Sequence, residues 1–225
     1  MRTALLFPGQ GSHVPGMDAG VAAARPDLLA LAAEAVGEDP FARAAEGTRF
    51  AQPAILCASL AALAVHDGPA PAAVAGHSLG ELTALVAAQA IEERDAVALV
   101  ALRGRLMQAA ADSAPAPGGM LAVLGPLDAA ALAARHGVAV ANDNAPGQVV
   151  LSGGQAALRR AAAEARAAGA RAIALGVAGA FHSPHMAPAV PAWTEAVARA
   201  AVRAPRLPVY SCVTAAPVAA VPDVR

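Results

Sequence analysis

Short apolar runs alternate with longer amphipathic stretches along the first half of the chain. The runs at residues 3–7 and 71–75 have the length of buried strands, and each is stopped by glycine, the first after Pro8. Helical spacing of apolar residues follows at 26–36, 52–65, 80–90 and 94–111. Strands that alternate with helices predict a parallel sheet with helices on both of its faces.

The pattern changes after residues 113–119, a stretch rich in proline and glycine that we interpret as a linker. Beyond it the pattern predicts the order strand, helix, strand, strand, helix, strand, at 120–124, 127–135, 138–141, 148–151, 155–168 and 172–177, with a turn at 142–147. This βαββαβ order is the ferredoxin-like arrangement. We therefore predict an α/β class, with a large domain formed by 1–113 and 181–225 and a small subdomain at 114–180.

Composition and charge argue against two classes of partner, nucleic acids and membranes. The chain of 225 residues is 57% hydrophobic and 3% aromatic, with a net charge of −1, and it has no basic patch interleaved with aromatic residues. Nucleic acid is therefore not an expected partner. Nor is a membrane, because no charge-free apolar run approaches the ~20 residues that a span requires. The isolated Cys57 and Cys212 are interpreted as buried thiols in a reducing cytoplasm.

The strongest candidate for chemistry is Ser78, in the sequence Gly76-His77-Ser78-Leu79-Gly80. A G-x-S-x-G motif between an apolar strand and a helix is typical of a serine nucleophile, because the glycines permit a strained turn that exposes the hydroxyl. This context predicts an enzyme of acyl transfer. The alternative is that Ser78 only caps the following helix.

A serine hydroxyl needs a base that accepts its proton, and His182 is the candidate. It follows the last predicted strand of the subdomain, where the chain returns to the large domain in a loop that can face Ser78. His77 adjoins Ser78 and is expected to support the loop, while His66 and His136 near helix ends are interpreted as solvated. The alternative for His182 is an ordinary hydrogen-bonded loop histidine.

The developing oxyanion needs N–H donors. Leu79 offers its backbone N–H directly after the nucleophile, and Gln10 offers one from the loop 8–12, where flanking glycines allow close approach. A plain turn is the alternative for that loop.

Arg103 lies in the apolar stripe of the helix predicted at 94–111. A buried guanidinium is costly unless it is paired. Its partner is therefore either an internal carboxylate, in a structural ion pair, or the carboxylate of a substrate, which the planar guanidinium binds in bidentate fashion.

Together these motifs resemble, in order and spacing, the malonyl-CoA:acyl carrier protein transacylase family and the acyltransferase domains of polyketide synthases. The matching segments are residues 7–12, 52–54, 76–81, Arg103-Gly104 with Met107-Gln108, 144–149 and 180–183. The resemblance implies an α/β-hydrolase-like core with an inserted ferredoxin-like (βαββαβ) subdomain. It also implies a function in fatty acid or polyketide synthesis.

The resemblance implies a role for each candidate residue: Ser78 as nucleophile, His182 as base, Arg103 as the clamp for the malonyl carboxylate, and Gln10 with Leu79 as oxyanion donors. A Phe before the catalytic histidine accompanies malonyl instead of methylmalonyl units in polyketide relatives, so Phe181 indicates malonyl. The implied substrates are malonyl-CoA and acyl carrier protein, in a ping-pong reaction that needs no metal or redox cofactor.

This sequence also departs from the family pattern. His13 stands where the family usually has Gln, and the family continues past Arg225 with a section that holds the catalytic histidine in place. Either another group holds His182, or the chain is a fragment of a longer protein, or it is a naturally shortened enzyme, for which we expect low activity. A further alternative is an inactive module that only binds a carrier protein.

The other rival is a serine hydrolase or thioesterase of the α/β type. Its triad requires a carboxylate between the serine and the histidine in chain order. Four residues satisfy that order, although none follows a strand in a clear catalytic context: Asp95, Asp112, Asp128 and Asp143.

Overall fold

The computed structural model describes residues 3–177, 179–218 and 220–224. The strands are β1 (Ala4–Phe7), β2 (Ala73–Gly76), β3 (Gly118–Leu124), β4 (Ala139–Ala145), β5 (Gln148–Gly154), β6 (Arg171–Ala174), β7 (Val209–Tyr210) and β8 (Pro217–Val218). The helices are α1 (Met17–Ala24), α2 (Asp27–Val36), α3 (Thr48–Ala64), α4 (Gly80–Ala87), α5 (Glu93–Asp112), α6 (Ala129–His136), α7 (Gln155–Ala167), α8 (Val190–Arg199) and α9 (Val221–Val224), with a 3-10 helix at Pro184–Ala189.

The chain divides into two compact units. The first unit comprises Met1–Arg105 and Ala192–Arg225, and the second comprises Leu106–Pro191. The domain boundaries predicted at 113/114 and 180/181 stay predictions, whereas the compact units divide the chain within α5, after Arg105, and again after Pro191. The stretch interpreted as a linker is also shorter than expected, since β3 begins within it at Gly118.

The sheet of the first unit has the strand order β1-β2-β7-β8. Strands β1, β2 and β7 are parallel, and β8 is antiparallel to β7. Phe7 at the end of β1 is in register with Gly76 at the end of β2. The loops that follow these strands therefore leave the sheet at the same edge, which is where ligands bind in open parallel sheets.

Apolar helix faces cover this sheet. Fully buried side chains of α2 and α3, among them Leu28, Leu56 and Leu60, join Val74 of β2 and Val97 of α5 in one core. The core is continuous because α3 is apolar on most of its circumference, as expected for a buried helix.

The second unit contains an antiparallel sheet with the strand order β4-β5-β3-β6. Strand β3 alternates its side chains between two apolar clusters. Leu121 and Val123 pack with Leu132 of α6 and with α7, whereas Met120 packs with Phe181 in the other cluster. Apolar side chains therefore pack against both faces of this sheet, and the predicted βαββαβ element order is present.

Some predicted boundaries are wrong. Residues 142–145 were expected in a turn because they are polar, but they continue β4, with irregular register against β5. Helices α1 and α8 were not predicted. Within the described ranges, no helix is both long and apolar enough to cross a lipid bilayer.

Candidate active site

Ser78 lies in a sharp turn between β2 and α4. Its φ is 54°, a left-handed value that non-glycine residues rarely adopt. The turn is closely packed, because a Cβ on Gly76 would lie 2.0 Å from the carbonyl carbon of Gly80, and one on Gly80 would lie 2.3 Å from the Phe7 oxygen. Leu79, not Ser78, occupies the N-cap position of α4. The geometry thus matches a nucleophile turn and not a simple helix cap.

The loop after β1 lies beside this turn. The His77 N–H donates to the Phe7 carbonyl at 2.9 Å and so extends the β1–β2 pairing to the loop. Ser12 Oγ donates to the Gly9 carbonyl at 2.8 Å, which closes the loop that carries Gln10. Register and loop closure together bring the predicted Gln10 and Leu79 to the same edge of the sheet.

Arg103 of α5 reaches Ser78 directly. Its Nη2 donates to Ser78 Oγ at 3.1 Å, and its Nη1 donates to Gln52 Oε1 at 2.7 Å. Gly104 allows the approach of α5 to the start of α3, since a Cβ there would lie 2.8 Å from the Thr48 carbonyl oxygen. The adjacent Arg-Gly pair therefore explains how a guanidinium comes within hydrogen-bond distance of the nucleophile.

Among the described residues, Arg103 takes part in no ion pair. Burial lowers the pKa of the Arg103 guanidinium below its ordinary value, and the nearby Glu81 carboxylate offsets only part of that shift. An arginine side chain is not deprotonated in proteins, so Arg103 carries its positive charge into the site. This favours the substrate-carboxylate alternative over a structural ion pair.

Two buried polar residues of α3 connect Arg103 to the loop of Gln10. Gln52 Nε2 donates to Thr48 Oγ1 at 2.8 Å, and Thr48 Oγ1 donates to Gln10 Oε1 at 2.6 Å. Gln52 is 1% exposed and Thr48 is 2% exposed. The sequence drew attention to Gln52 only as part of a motif and assigned no role to Thr48.

Cys212 is a neighbour of the site that sequence reasoning missed. It follows β7, which is parallel to β2, so its loop leaves the sheet at the same edge as Ser78. Its N–H and Sγ donate to the Glu81 carboxylate at 3.2 Å and 2.9 Å. Partial burial of the thiol, together with Glu81, raises the pKa of Cys212 to about 11.

Two other sequence interpretations need correction. Cys212 is exposed overall, whereas only Cys57 is the buried thiol that was expected. His136 was interpreted as solvated, but its ring is 14% exposed and lies 2.7 Å from Glu164.

His182 and Phe181 belong to the second unit, whereas Ser78, Arg103 and Gln10 belong to the first. His182 is exposed and has a φ of 55°. Phe181 is 5% exposed and packs against Met107. The pairing of His182 with Ser78 and the specificity role of Phe181 stay predictions.

A serine in a nucleophile turn with an arginine on its hydroxyl defines a candidate acyl-transfer site. Residues 5–222 match the profile described as "Acyl transferase domain", so the chain belongs to that family. It is 44% identical over 231 residues to the polyketide biosynthesis protein ThaF of Burkholderia thailandensis, covering 95% of this chain and 20% of that protein. It is 42% identical over 229 residues to the malonyl CoA-acyl carrier protein transacylase of Escherichia coli K12, covering 92% and 73% respectively.

The fold has solved relatives as well. The crystal structure of MCAT from Mycobacterium tuberculosis superposes with a TM-score of 0.88 at 36% identity, covering all of this chain and 78% of that one. The chain thus spans a fifth of the polyketide protein and about three quarters of the transacylases.

Proposed function

We propose that this chain transfers a malonyl group from malonyl-CoA to the phosphopantetheine thiol of an acyl carrier protein, through a malonyl ester on Ser78. The similarity to transacylases named for this reaction supports the proposal. We further infer an α/β-hydrolase-like core with a ferredoxin-like insertion, supported by the parallel sheet of the first unit and the strand order β4-β5-β3-β6. The expected compartment is the cytoplasm, in keeping with two free cysteines.

The hydrogen bond from Arg103 Nη2 to Ser78 Oγ, at 3.1 Å, carries the proposal. In a malonyl-serine ester, only the carbonyl and methylene carbons separate Oγ from the carboxylate carbon. A guanidinium beside Oγ is therefore well placed to bind the free carboxylate of the acyl group. An acetyl group offers no such partner, so a site of this kind selects for an acid at the far end of the acyl chain.

The reaction runs in two half-reactions. His182 takes the proton of Ser78, Oγ attacks the thioester carbonyl, and the carbon–sulfur bond breaks as His182 returns the proton to coenzyme A. The carrier thiol then gives its proton to His182 and attacks the ester, and Ser78 Oγ leaves with that proton. The N–H groups of Leu79 and Gln10 stabilise the oxyanion in each half-reaction.

Each step is a proton transfer or a displacement at a carbonyl, so the proposed chemistry uses no metal or redox cofactor. Coenzyme A enters only as the thioester substrate. Phe181 is proposed to limit the acyl group to malonyl, because its bulk takes the volume that a methyl branch needs.

The test is a competition between carrier protein and water. The protein is incubated with radiolabelled malonyl-CoA and carrier protein, and label on the carrier is compared with free malonate. We expect transfer to exceed hydrolysis and Ser78→Ala to abolish both. Hydrolysis that exceeds transfer would instead indicate the serine hydrolase. Carrier binding without turnover would indicate the inactive module.

A further inference from the structure

We propose that Thr48 and Gln52 are positioning residues that hold the Arg103 clamp and the Gln10 oxyanion loop in one hydrogen-bonded unit. The inference rests on the proposed function and adds to it a connection between the site for the acyl carboxylate and the site for the oxyanion. Three hydrogen bonds of 2.7, 2.8 and 2.6 Å join Arg103, Gln52, Thr48 and Gln10 in that order. These hydrogen bonds connect α5, α3 and the loop after β1, three segments that lie far apart along the chain.

The direction of each bond in this series follows from the two atoms that it joins. A guanidinium can only donate, so the Gln52 atom that faces Arg103 is the amide oxygen. The Gln52 nitrogen therefore faces Thr48 and donates to its hydroxyl oxygen. The Thr48 hydroxyl in turn donates its proton to Gln10 Oε1. Each bond thus runs from donor to acceptor in the direction from Arg103 to Gln10, and in such a chain each hydrogen bond polarises the next.

Burial gives the series its rigidity. With Thr48 and Gln52 only 2% and 1% exposed, water cannot readily replace a lost partner. The two residues lie one turn apart on α3, so their spacing is set by the helix. Gly104 sets the distance between α5 and α3, because any larger residue would meet the Thr48 carbonyl.

The order of the series predicts different defects for its two inner members. Thr48→Val removes the bond to Gln10 and the acceptor of Gln52 Nε2, but it leaves Gln52 Oε1 in place for Arg103. The main loss is therefore at the oxyanion loop, and kcat should fall about tenfold for malonyl-CoA and for acetyl-CoA alike. Gln52→Glu places a carboxylate on Arg103 and occupies its charge. It should lower kcat/KM about tenfold for malonyl-CoA, mainly through KM, with a much smaller effect on acetyl-CoA.

Matched variants separate positioning from general stability. Thr48→Ser keeps the hydroxyl, so its kcat should stay near the wild-type value, in contrast to that of Thr48→Val. Thr83→Val removes a hydroxyl that is equally buried in α4 and has no hydrogen-bond partner among the described residues. It should leave kcat and KM unchanged. Thermal melting of each variant shows whether the fold is retained.

The experiment measures kcat and KM of wild type and these variants with malonyl-CoA and acetyl-CoA as acyl donors to carrier protein. Equal kinetics of Thr48→Val and Thr83→Val, or equal loss of both donors in Gln52→Glu, would overturn the inference. If Thr48→Val does not fold, the donor dependence of Gln52→Glu decides alone. If the wild type transfers no malonyl, the proposed function itself is refuted. If the wild type transfers malonyl and the substitutions at Thr48 and Gln52 leave kcat and KM unchanged, only the positioning role is refuted.

Discussion

Replacement of Arg103 by alanine should remove the preference for malonyl over acetyl donors. In the structure the guanidinium makes hydrogen bonds to Ser78 and Gln52 and has no carboxylate among its described partners. A substrate carboxylate is therefore the group that would complete its pairing. A charge-assisted hydrogen bond of this kind contributes about 1.5–3 kcal/mol. That corresponds to roughly a tenfold to hundredfold change in kcat/KM.

The assay compares kcat/KM for transfer from malonyl-CoA and from acetyl-CoA, in wild type and in Arg103→Ala. The variant also leaves Gln52 without its donor, which can slow both reactions through the loop of Gln10. A loss that affects both donors equally cancels in the ratio of kcat/KM for malonyl-CoA to kcat/KM for acetyl-CoA, so this ratio reports only the change in selectivity. Arg103→Lys should give an intermediate ratio, since one ammonium cannot replace a bidentate guanidinium. An unchanged ratio in Arg103→Ala would refute the role of this residue as the carboxylate clamp.

Two further predictions concern packing and reactivity near the site. Gly104→Ala should lower the free energy of unfolding by about 1–3 kcal/mol, measured by denaturant titration, because its Cβ would lie 2.8 Å from the Thr48 oxygen. Gly20→Ala in α1 is the control, since its Cβ would meet no atom within 4 Å apart from its chain neighbours and the backbone of its own helix, and no loss is expected. Cys212, with its pKa raised to about 11, should react slowly with iodoacetamide at pH 8, and Glu81→Gln should speed the reaction by lowering that pKa. Equal labelling rates in the two proteins would contradict the influence of Glu81.

The nucleophile turn was predictable because its determinants are local. Gly76, Ser78 and Gly80 follow an apolar strand directly, and the positive φ of Ser78 is what such a turn requires. Arg103 was predictable for a related reason, since the helical spacing alone places it in an apolar stripe. For both Ser78 and Arg103, residues close by in the sequence determine the surroundings of the side chain.

The partners of these residues depend on topology and were not predictable in the same way. Cys212 lies far from Ser78 in the chain, and only the parallel pairing of β7 with β2 brings the two to one edge. Thr48 has no local feature that indicates its bond to Gln10. The end of β4 was missed for the opposite reason, because its polar sequence resembles a turn while pairing with β5 keeps it extended.

The central claim is that Ser78 carries the malonyl group, and peptide mapping by mass spectrometry tests it directly. After brief incubation with malonyl-CoA and an acid quench, we expect one malonyl adduct on the peptide that contains Ser78. The adduct should disappear when carrier protein is added before the quench, and it should be absent in Ser78→Ala. An adduct that persists in Ser78→Ala, for example on the neighbouring Cys212, would contradict the account.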